Sequence, residues 1–158
     1  MKIFKIFSLL AVAVLAMTAC SNEDDNNEGK NDVPTGNLEK IVNEWRLDSV
    51  NGVEAEFTVY LHLKDDSSFD MYQMVYTNQY QFYQGTYTLT KNVLAGSYLG
   101  GKTWKCDYKV SISEDEQQMT LVSVEDESIT CVYEATTIPE SVKSEAVVTR
   151  AAGVEPML

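Results

Sequence analysis

Residues 57–64 read Phe57-Thr58-Val59-Tyr60-Leu61-His62-Leu63-Lys64, the clearest alternation of apolar and polar residues in the chain. Side chains of a β-strand point alternately to the two faces of a sheet, so this period predicts a strand with one buried face and one wetter face. We therefore expect the four apolar members of the run to lie in a core and the four polar members to face outward.

Similar runs lie on both sides of this strand. Asn51 and Gly52 precede it as a strong hairpin signal, and the polar residues 65–68 follow it as a turn. The further strands that we predict are Glu44–Val50, Phe69–Tyr76, Tyr80–Leu89, Thr103–Ser113, Gln118–Val124 and Ser128–Ala135. Residues 91–102 contain three glycines and are interpreted as a loop. Seven or eight short strands joined by turns predict an all-β fold, either an antiparallel up-and-down barrel or a sandwich. Sequential hairpins favour the barrel, because closure removes exposed sheet edges.

Pro139 ends the sheet region. We interpret Glu140–Ala152 either as a short amphipathic helix or as a frayed tail, and we expect Gly153–Leu158 to be disordered. The β-barrel domain is accordingly assigned to residues 37–140, and the helix or tail to 141–158.

The start of the chain carries an export signal. Lys2 and Lys5 precede an apolar run, residues 6–17, which is shorter than the roughly 20 residues that a membrane-spanning helix needs. A charged start, a short apolar run and small residues are typical of a secretory signal peptide. The sequence that follows, Met17-Thr18-Ala19-Cys20, resembles the lipobox of bacterial lipoproteins. This resemblance implies that residues 1–19 are removed and that Cys20 is lipid-modified, which makes a membrane the first partner of the chain.

Residues 20–36 are interpreted as a tether. Residues 21–32 contain no apolar side chain, so they cannot offset the entropy of ordering and are expected to be disordered. The segment resembles the acidic stretch after the lipidated cysteine in surface-exported lipoproteins of gut anaerobes. The resemblance implies an outer-membrane location with display at the cell surface, and a periplasm-facing anchor is the alternative. The formal net charge of −12, with no basic cluster, argues against nucleic acid as a partner.

The span 38–140 resembles the lipocalin-like domains of bacterial surface lipoproteins. The shared features are the opening Trp45, the hairpin Leu61–Phe69, the run Gly85-Thr86-Tyr87, the strand Trp104–Ser113 and the closing Tyr133 with Ile138-Pro139-Glu140. The resemblance implies an eight-stranded barrel that holds a small apolar ligand.

No catalytic motif is recognisable. The chain has a single histidine, His62, in the middle of a strand, and neither a serine-hydrolase motif nor a phosphate-binding loop is present. A zinc site would need more His or Cys ligands than the chain offers. We therefore expect neither an enzyme nor a cofactor or metal. Cys106 and Cys131 are expected to be free buried thiols rather than a disulfide, because their strands are not neighbours and their registers are offset.

Aromatic residues are the best candidates for binding. If a small apolar ligand lies in the barrel, we expect Phe82, Trp104 and Tyr108 to line it. A second hypothesis is an outward aromatic face that docks a glycan or a protein. Its candidate residues are Tyr72, Tyr76, Tyr83 and Tyr87. A third is a structural accessory subunit without a ligand. Which face of the strands on either side of residues 77–79 points inward is left open, because a shift of one residue in that turn reverses every side chain.

Overall fold

The computed structural model describes residues 39–75, 77–148 and 155–158. The strands are β1 Asn43–Val50, β2 Val53–Glu54, β3 Thr58–Leu63, β4 Ser68–Met74, β5 Gln81–Thr90, β6 Val93–Tyr98, β7 Tyr108–Ile112, β8 Gln118–Ser123, β9 Thr130–Ala135 and β10 Val147–Val148. A C-terminal helix spans Glu140–Glu145, and residues 39–41 are also helical. The expected signal peptide 1–19, the lipidated Cys20, the tether 20–36 and Tyr76 lie outside the described residues.

Eight strands form a closed antiparallel barrel. The circuit runs β1-β3-β4-β5-β6-β7-β8-β9 and returns to β1, and each neighbouring pair is antiparallel. Strand β2 extends β1 as a hairpin, and β10 pairs in parallel with the start of β5. A compact unit spans Asp32–Leu158, so the whole circuit closes within it. The all-β, up-and-down barrel predicted from the sequence is confirmed.

The interior is filled by the apolar side chains of the alternating strands. In β3, Val59, Leu61 and Leu63 are buried, while the residues between them are half-buried on the outer face, as predicted. The hydrophobic core joins side chains from all eight barrel strands, and its largest fully buried members include Trp45 and Tyr133.

One end of the barrel is closed by the residues before β1. Ile41 is almost completely buried, and the indole Nε1–H of Trp45 donates to its carbonyl oxygen at 2.9 Å. This hydrogen bond satisfies the polar atom of a side chain that is otherwise surrounded by apolar residues. We refer to the opposite end, where β4 and β6 end and β5 begins, as the mouth.

The interpretation of residues 91–102 as a loop was wrong, because 93–98 form β6. The φ angles of Lys91 and Asn92 are 51° and 65°, which is the backbone of a tight two-residue hairpin turn. Gly96 lies within β6 because a Cβ there would collide with the indole ring of Trp104. The glycine is therefore a packing requirement of the strand rather than a loop signal.

Two further boundaries differ from the prediction. The long strand Thr103–Ser113 is reduced to β7, Tyr108–Ile112, and Thr103 makes only an isolated bridge to Ser97. The expected disorder of Gly153–Leu158 was wrong for residues 155–158, because Leu158 is 1% exposed within the main core. The helical alternative for Glu140–Ala152 is confirmed over Glu140–Glu145.

Candidate binding site at the barrel mouth

The register between β4 and β5 determines which aromatic side chains face the interior. Met71 pairs with Tyr83 and Tyr72 pairs with Phe82, so that Tyr83 shares the inward face and Phe82 the outward one. Tyr87 also points inward, where it is 2% exposed, and its hydroxyl donates to the carbonyl oxygen of Lys64 at 2.6 Å. The hypotheses that placed Phe82 inside the barrel and Tyr83 and Tyr87 on an outward face are therefore wrong. In β5 the odd-numbered side chains face inward and the even-numbered ones outward, which answers the question that the turn at 77–79 left open.

An aromatic row crosses the outer face of β3, β4 and β5. It consists of Tyr60, Tyr72 and Phe82, which are successive cross-strand partners, with the rings of Tyr72 and Phe82 5.0 Å apart. Ile138 and Val142, at the start of the C-terminal helix and within it, pack on this row. Tyr72 is consequently only 8% exposed, and its expected role in an exposed docking face is corrected: the helix covers it.

Glu44 in β1 holds the helix in this position. One oxygen of its carboxylate accepts a hydrogen bond from the backbone N–H of Ile138 at 2.7 Å, and the other lies 3.1 Å from Nζ of Lys143. The hydrogen bonds that the Lys143 ammonium donates, to Glu44 first and then to Glu140, raise the pKa of Lys143. The helix is thus attached to the barrel by an ion pair as well as by apolar packing.

Trp104 and Tyr108, which were expected to line a ligand in the barrel, belong to the main hydrophobic core. The ring of Trp104 packs edge-on against Phe69 at 5.2 Å and against Tyr108 at 6.3 Å between centroids. Neither the indole Nε1 of Trp104 nor the hydroxyl of Tyr133 has a hydrogen-bond partner among the described residues, although both atoms are buried. Burial raises the pKa of Tyr108 and of Tyr133 well above the ordinary value, so both hydroxyls stay protonated donors.

The mouth is filled by four residues from the far end of the sequence, Glu155–Leu158, which we call the plug segment. Gln73 of β4, completely buried, donates from Nε2 to the carbonyl oxygen of Glu155 at 3.0 Å, and its Oε1 accepts from the backbone N–H of Met157 at 2.9 Å. The hydroxyl of Tyr98 donates to the carbonyl oxygen of Leu158 at 2.8 Å. The mouth is therefore lined by polar groups that are satisfied by the backbone of the plug segment.

An open groove of about 490 Å³ lies beside the plug segment and shares Tyr98 with it. Its lining is Phe82, Tyr83, Gln84, Tyr98, Leu99, Gly100 and Val148. Leu99 and Val148, two aliphatic residues of this lining, are 76% and 61% exposed. A second open groove, of about 510 Å³, shares Gln84, Tyr98, Leu99 and Gly100 with the first. The outer surface near the mouth is therefore both concave and partly apolar.

Reactive groups are sparse near this site. His62 lies on the outer face, where its Nδ1 is 3.9 Å from the carboxylate of Glu44. Within residues 39–75, 77–148 and 155–158, no group of three or more His, Cys, Asp or Glu side chains is arranged to hold a metal ion. Cys106 and Cys131 are free, as expected, although Cys106 is half-buried rather than buried. Among the same residues, no helix combines the length and apolarity that crossing a bilayer requires.

Sequence reasoning missed Gln73 and the plug segment. Gln73 could have been found from the sequence. Phe69, Met71 and Gln73 occupy alternate positions of β4 and share its inward face, and Gln73 is the polar one of the three. The plug segment had no comparable signal, because four residues show no periodicity and their burial depends on where the barrel brings Gln73 and Tyr98.

The chain was also compared with known proteins. No model of a known protein family matches it, and no similar sequence is found among curated proteins.

Proposed function

We propose that this chain is a non-catalytic binding protein of the bacterial cell envelope. In this proposal, the lipid on Cys20 anchors it to the outer membrane facing the cell surface, and the mouth of the barrel binds a small ligand. The ligand has an apolar part and hydrogen-bond acceptors. The periplasm-facing anchor stays the alternative location, and the lipocalin-like resemblance is consistent with the barrel but is not needed for the proposal.

The observation that carries the proposal is the composition of the mouth. A separate piece of chain fills it, and the groups that hold this piece, Gln73 and Tyr98, are hydrogen-bonding side chains on the barrel wall. The Gln73 carboxamide and the Tyr98 hydroxyl can donate the same hydrogen bonds to acceptors on a ligand that replaces the plug segment.

The packing of the hydrophobic core limits how far a ligand can enter the barrel. Trp45, Tyr133 and Phe69 are completely buried and belong to one continuous core. A ligand that entered the deep interior would have to displace close-packed side chains, which destabilises a barrel. The ligand is therefore placed at the mouth, where it exchanges with the plug segment, rather than in the centre.

Native mass spectrometry tests whether the chain binds a small ligand. The chain from Asp32 to Leu158, purified gently, is expected to retain a small molecule or to take up a hydrophobic dye. Tyr98→Phe removes one donor of the mouth and is expected to reduce retention, whereas Tyr60→Phe, on the outer face, is the matched control. An apo mass together with no dye uptake in all three proteins, and also in Leu158→Asp, whose charge is expected to release the plug segment from the mouth, would overturn the binding proposal.

The anchor has a separate test. The full chain, expressed in a bacterium fed with labelled fatty acid, is expected to incorporate the label. Cys20→Ser should abolish incorporation, and Cys106→Ser should leave it unchanged. Equal labelling of the two variants would contradict lipid attachment at Cys20.

One observation favours a second candidate function, docking of a protein or glycan. Leu99 and Val148 border the 490 Å³ groove with their side chains largely exposed. Exposed apolar residues around a concave surface are typical of interaction sites. This alternative uses the groove rather than the aromatic row, which the helix already covers.

A further inference from the structure

The side chain of Gln73 contacts backbone atoms of the plug segment rather than the side chains of that segment. Its carboxamide donates to the carbonyl oxygen of Glu155 and accepts from the N–H of Met157. A side-chain amide that pairs with a backbone N–H and a nearby C=O imitates the edge of a neighbouring strand. Such a contact recognises an extended peptide and has no counterpart in a hydrocarbon chain.

Leu158 supplies the apolar part of the interaction. Its side chain is 1% exposed within the main core, and Met157 packs against the same core. Tyr98 holds the carbonyl oxygen of Leu158. The ion pair between Glu155 and Lys102, at 3.2 Å, is largely exposed on both sides and contributes little to binding. Selectivity thus rests on one buried aliphatic side chain and on three backbone hydrogen bonds.

Departure of the plug segment leaves the buried carboxamide of Gln73 without these two hydrogen-bond partners, which is unfavourable in free energy. The Gln73 side chain is completely buried on the barrel wall, and the partners of both polar atoms come from residues 82 and 84 positions away in the sequence. A buried carboxamide without partners is unfavourable. An empty mouth therefore favours any ligand that restores the same backbone pattern.

We propose that the mouth is a peptide-binding site, occupied in this structure by the chain's own plug segment, and that it accepts an extended peptide with a leucine-like side chain from another molecule. This inference rests on the proposed function, because it names the ligand class of the same site. The plug segment acts as an intramolecular competitor, with an effective concentration on the order of millimolar, as short tethers give. External peptides consequently bind well only after it is displaced.

The test uses the chain from Asp32 to Leu158, which contains the whole barrel circuit. Leu158→Asp places a charge in the apolar seat and is expected to release the plug segment. The probe is a fluorescein-labelled peptide of residues 153–158, followed by anisotropy. Leu158→Asp should bind it on the order of tenfold more tightly than the unchanged chain does. Val53→Asp, which adds the same charge at a position that is 68% exposed, should behave like the unchanged chain.

Two further arms identify the contacts. The double variant Leu158→Asp with Gln73→Leu should bind the labelled peptide no more tightly than the unchanged chain does. Leucine keeps roughly the volume of the glutamine side chain but cannot hydrogen-bond the backbone of the peptide. A labelled peptide that itself carries Leu158→Asp should bind to none of the proteins. Affinity for the unaltered peptide that is retained without Gln73 would overturn backbone recognition.

The outcomes separate this inference from the proposed function. If Leu158→Asp takes up a hydrophobic dye but no peptide at millimolar concentration, the peptide inference is overturned and small-ligand binding stands. If it takes up neither, both are overturned.

If Leu158→Asp does not fold, as judged by near-UV circular dichroism, a protease recognition sequence is inserted between Gly153 and Val154 of the otherwise unchanged chain. After cleavage, native mass spectrometry should show the released peptide still bound and exchanging with labelled peptide. Immediate loss of the cleaved peptide, without exchange, would contradict the inference.

Discussion

At the scale of single residues, Gly85 lies at a crowded point of the barrel wall. A Cβ there would collide with the backbone oxygen of Ser97 and come within 2.8 Å of the Phe69 ring. Gly85→Ala is expected to lower the free energy of unfolding by about 2–3 kcal/mol, since overpacking forces the backbone apart. Urea denaturation measures the loss. Thr86→Ala, at the next, exposed position, should change stability by about 0.5 kcal/mol or less, and equal losses would contradict the packing argument.

Deprotonation of Tyr87 makes the free energy of unfolding depend on pH in the alkaline range. Burial first, and then the charges of Asp66 and Asp65, raise its pKa from 10.0 to about 12. The folded chain therefore keeps a proton that the unfolded chain loses, so this contribution to stability is complete below pH 10 and falls between pH 10 and 12. Two pKa units correspond to a loss of about 3 kcal/mol.

Tyr87→Phe tests this dependence. The variant should be about 1 kcal/mol less stable at pH 8, because the hydrogen bond to Lys64 is lost. It should also lose less stability than the unchanged chain between pH 10 and 11.5, as followed by urea denaturation at each pH. Parallel losses in the two proteins would show that Tyr87 does not titrate as described.

At the scale of elements, the C-terminal helix depends on Glu44. Glu44→Ala removes the acceptor of the Ile138 N–H and the partner of Lys143. Because the Glu44 side chain is only 17% exposed, the loss should be about 1–3 kcal/mol in the free energy of unfolding, measured by thermal or urea denaturation.

Glu140→Ala is the control for this prediction. Glu140 also lies 3.2 Å from Nζ of Lys143, but its side chain is 88% exposed. Exposed pairs contribute about 0–1 kcal/mol, so the variant should stay close to the unchanged chain. A larger effect of Glu140→Ala than of Glu44→Ala would mean that the helix is not held as the geometry indicates.

At the scale of the whole molecule, closure of the barrel should protect one of two thiols. Cys131 is 3% exposed in the core, and burial raises its pKa to about 11, whereas Cys106 is half-buried. The chain from Asp32 onward contains only these two cysteines. A thiol-reactive chromophore at pH 8 should therefore label one thiol quickly and the second only on unfolding.

Cys106→Ser should remove the fast phase of this reaction, and Cys131→Ser should remove the slow one. Two fast thiols in the folded chain would indicate that the barrel opens between β8 and β9, the strand pair in which Leu121 faces Cys131. No titratable thiol in the unfolded chain would instead indicate a disulfide.

Local pattern accounts for the class of fold. The alternation of β3 and the Asn51-Gly52 turn depend on neighbours along the chain, and both appear as predicted, with φ angles of 53° and 76° in the turn. The hidden strand β6 shows the limit of this reasoning, because Gly96 suits a loop equally well until the Trp104 ring lies against it.

The candidate site was only partly predictable. Tyr108 was placed on the inward face correctly, because the alternation of its run continues through β7. Trp104 also belongs to the core, but it precedes β7 and is held there by its packing against Gly96 and Phe69 rather than by a strand alternation. Phe82, Tyr83 and Tyr87 were reversed, since the side chains of a strand change face with a shift of one residue and a turn of undetermined length precedes β5.

The sequence by itself thus determined the alternating strands, and hence an all-β chain, together with an acidic start that resembles an export signal, because these properties arise from neighbouring residues. That the interior is filled by side chains was decided by the tertiary structure. Only the tertiary structure decided which side chains of β5 point inward and that the helix covers the aromatic row. It also decided that Leu158 is buried where Gln73 and Tyr98 bind the backbone of the plug segment. These depend on contacts between residues far apart in the chain, which no local pattern encodes, and they are the contacts on which the proposed binding site at the mouth rests.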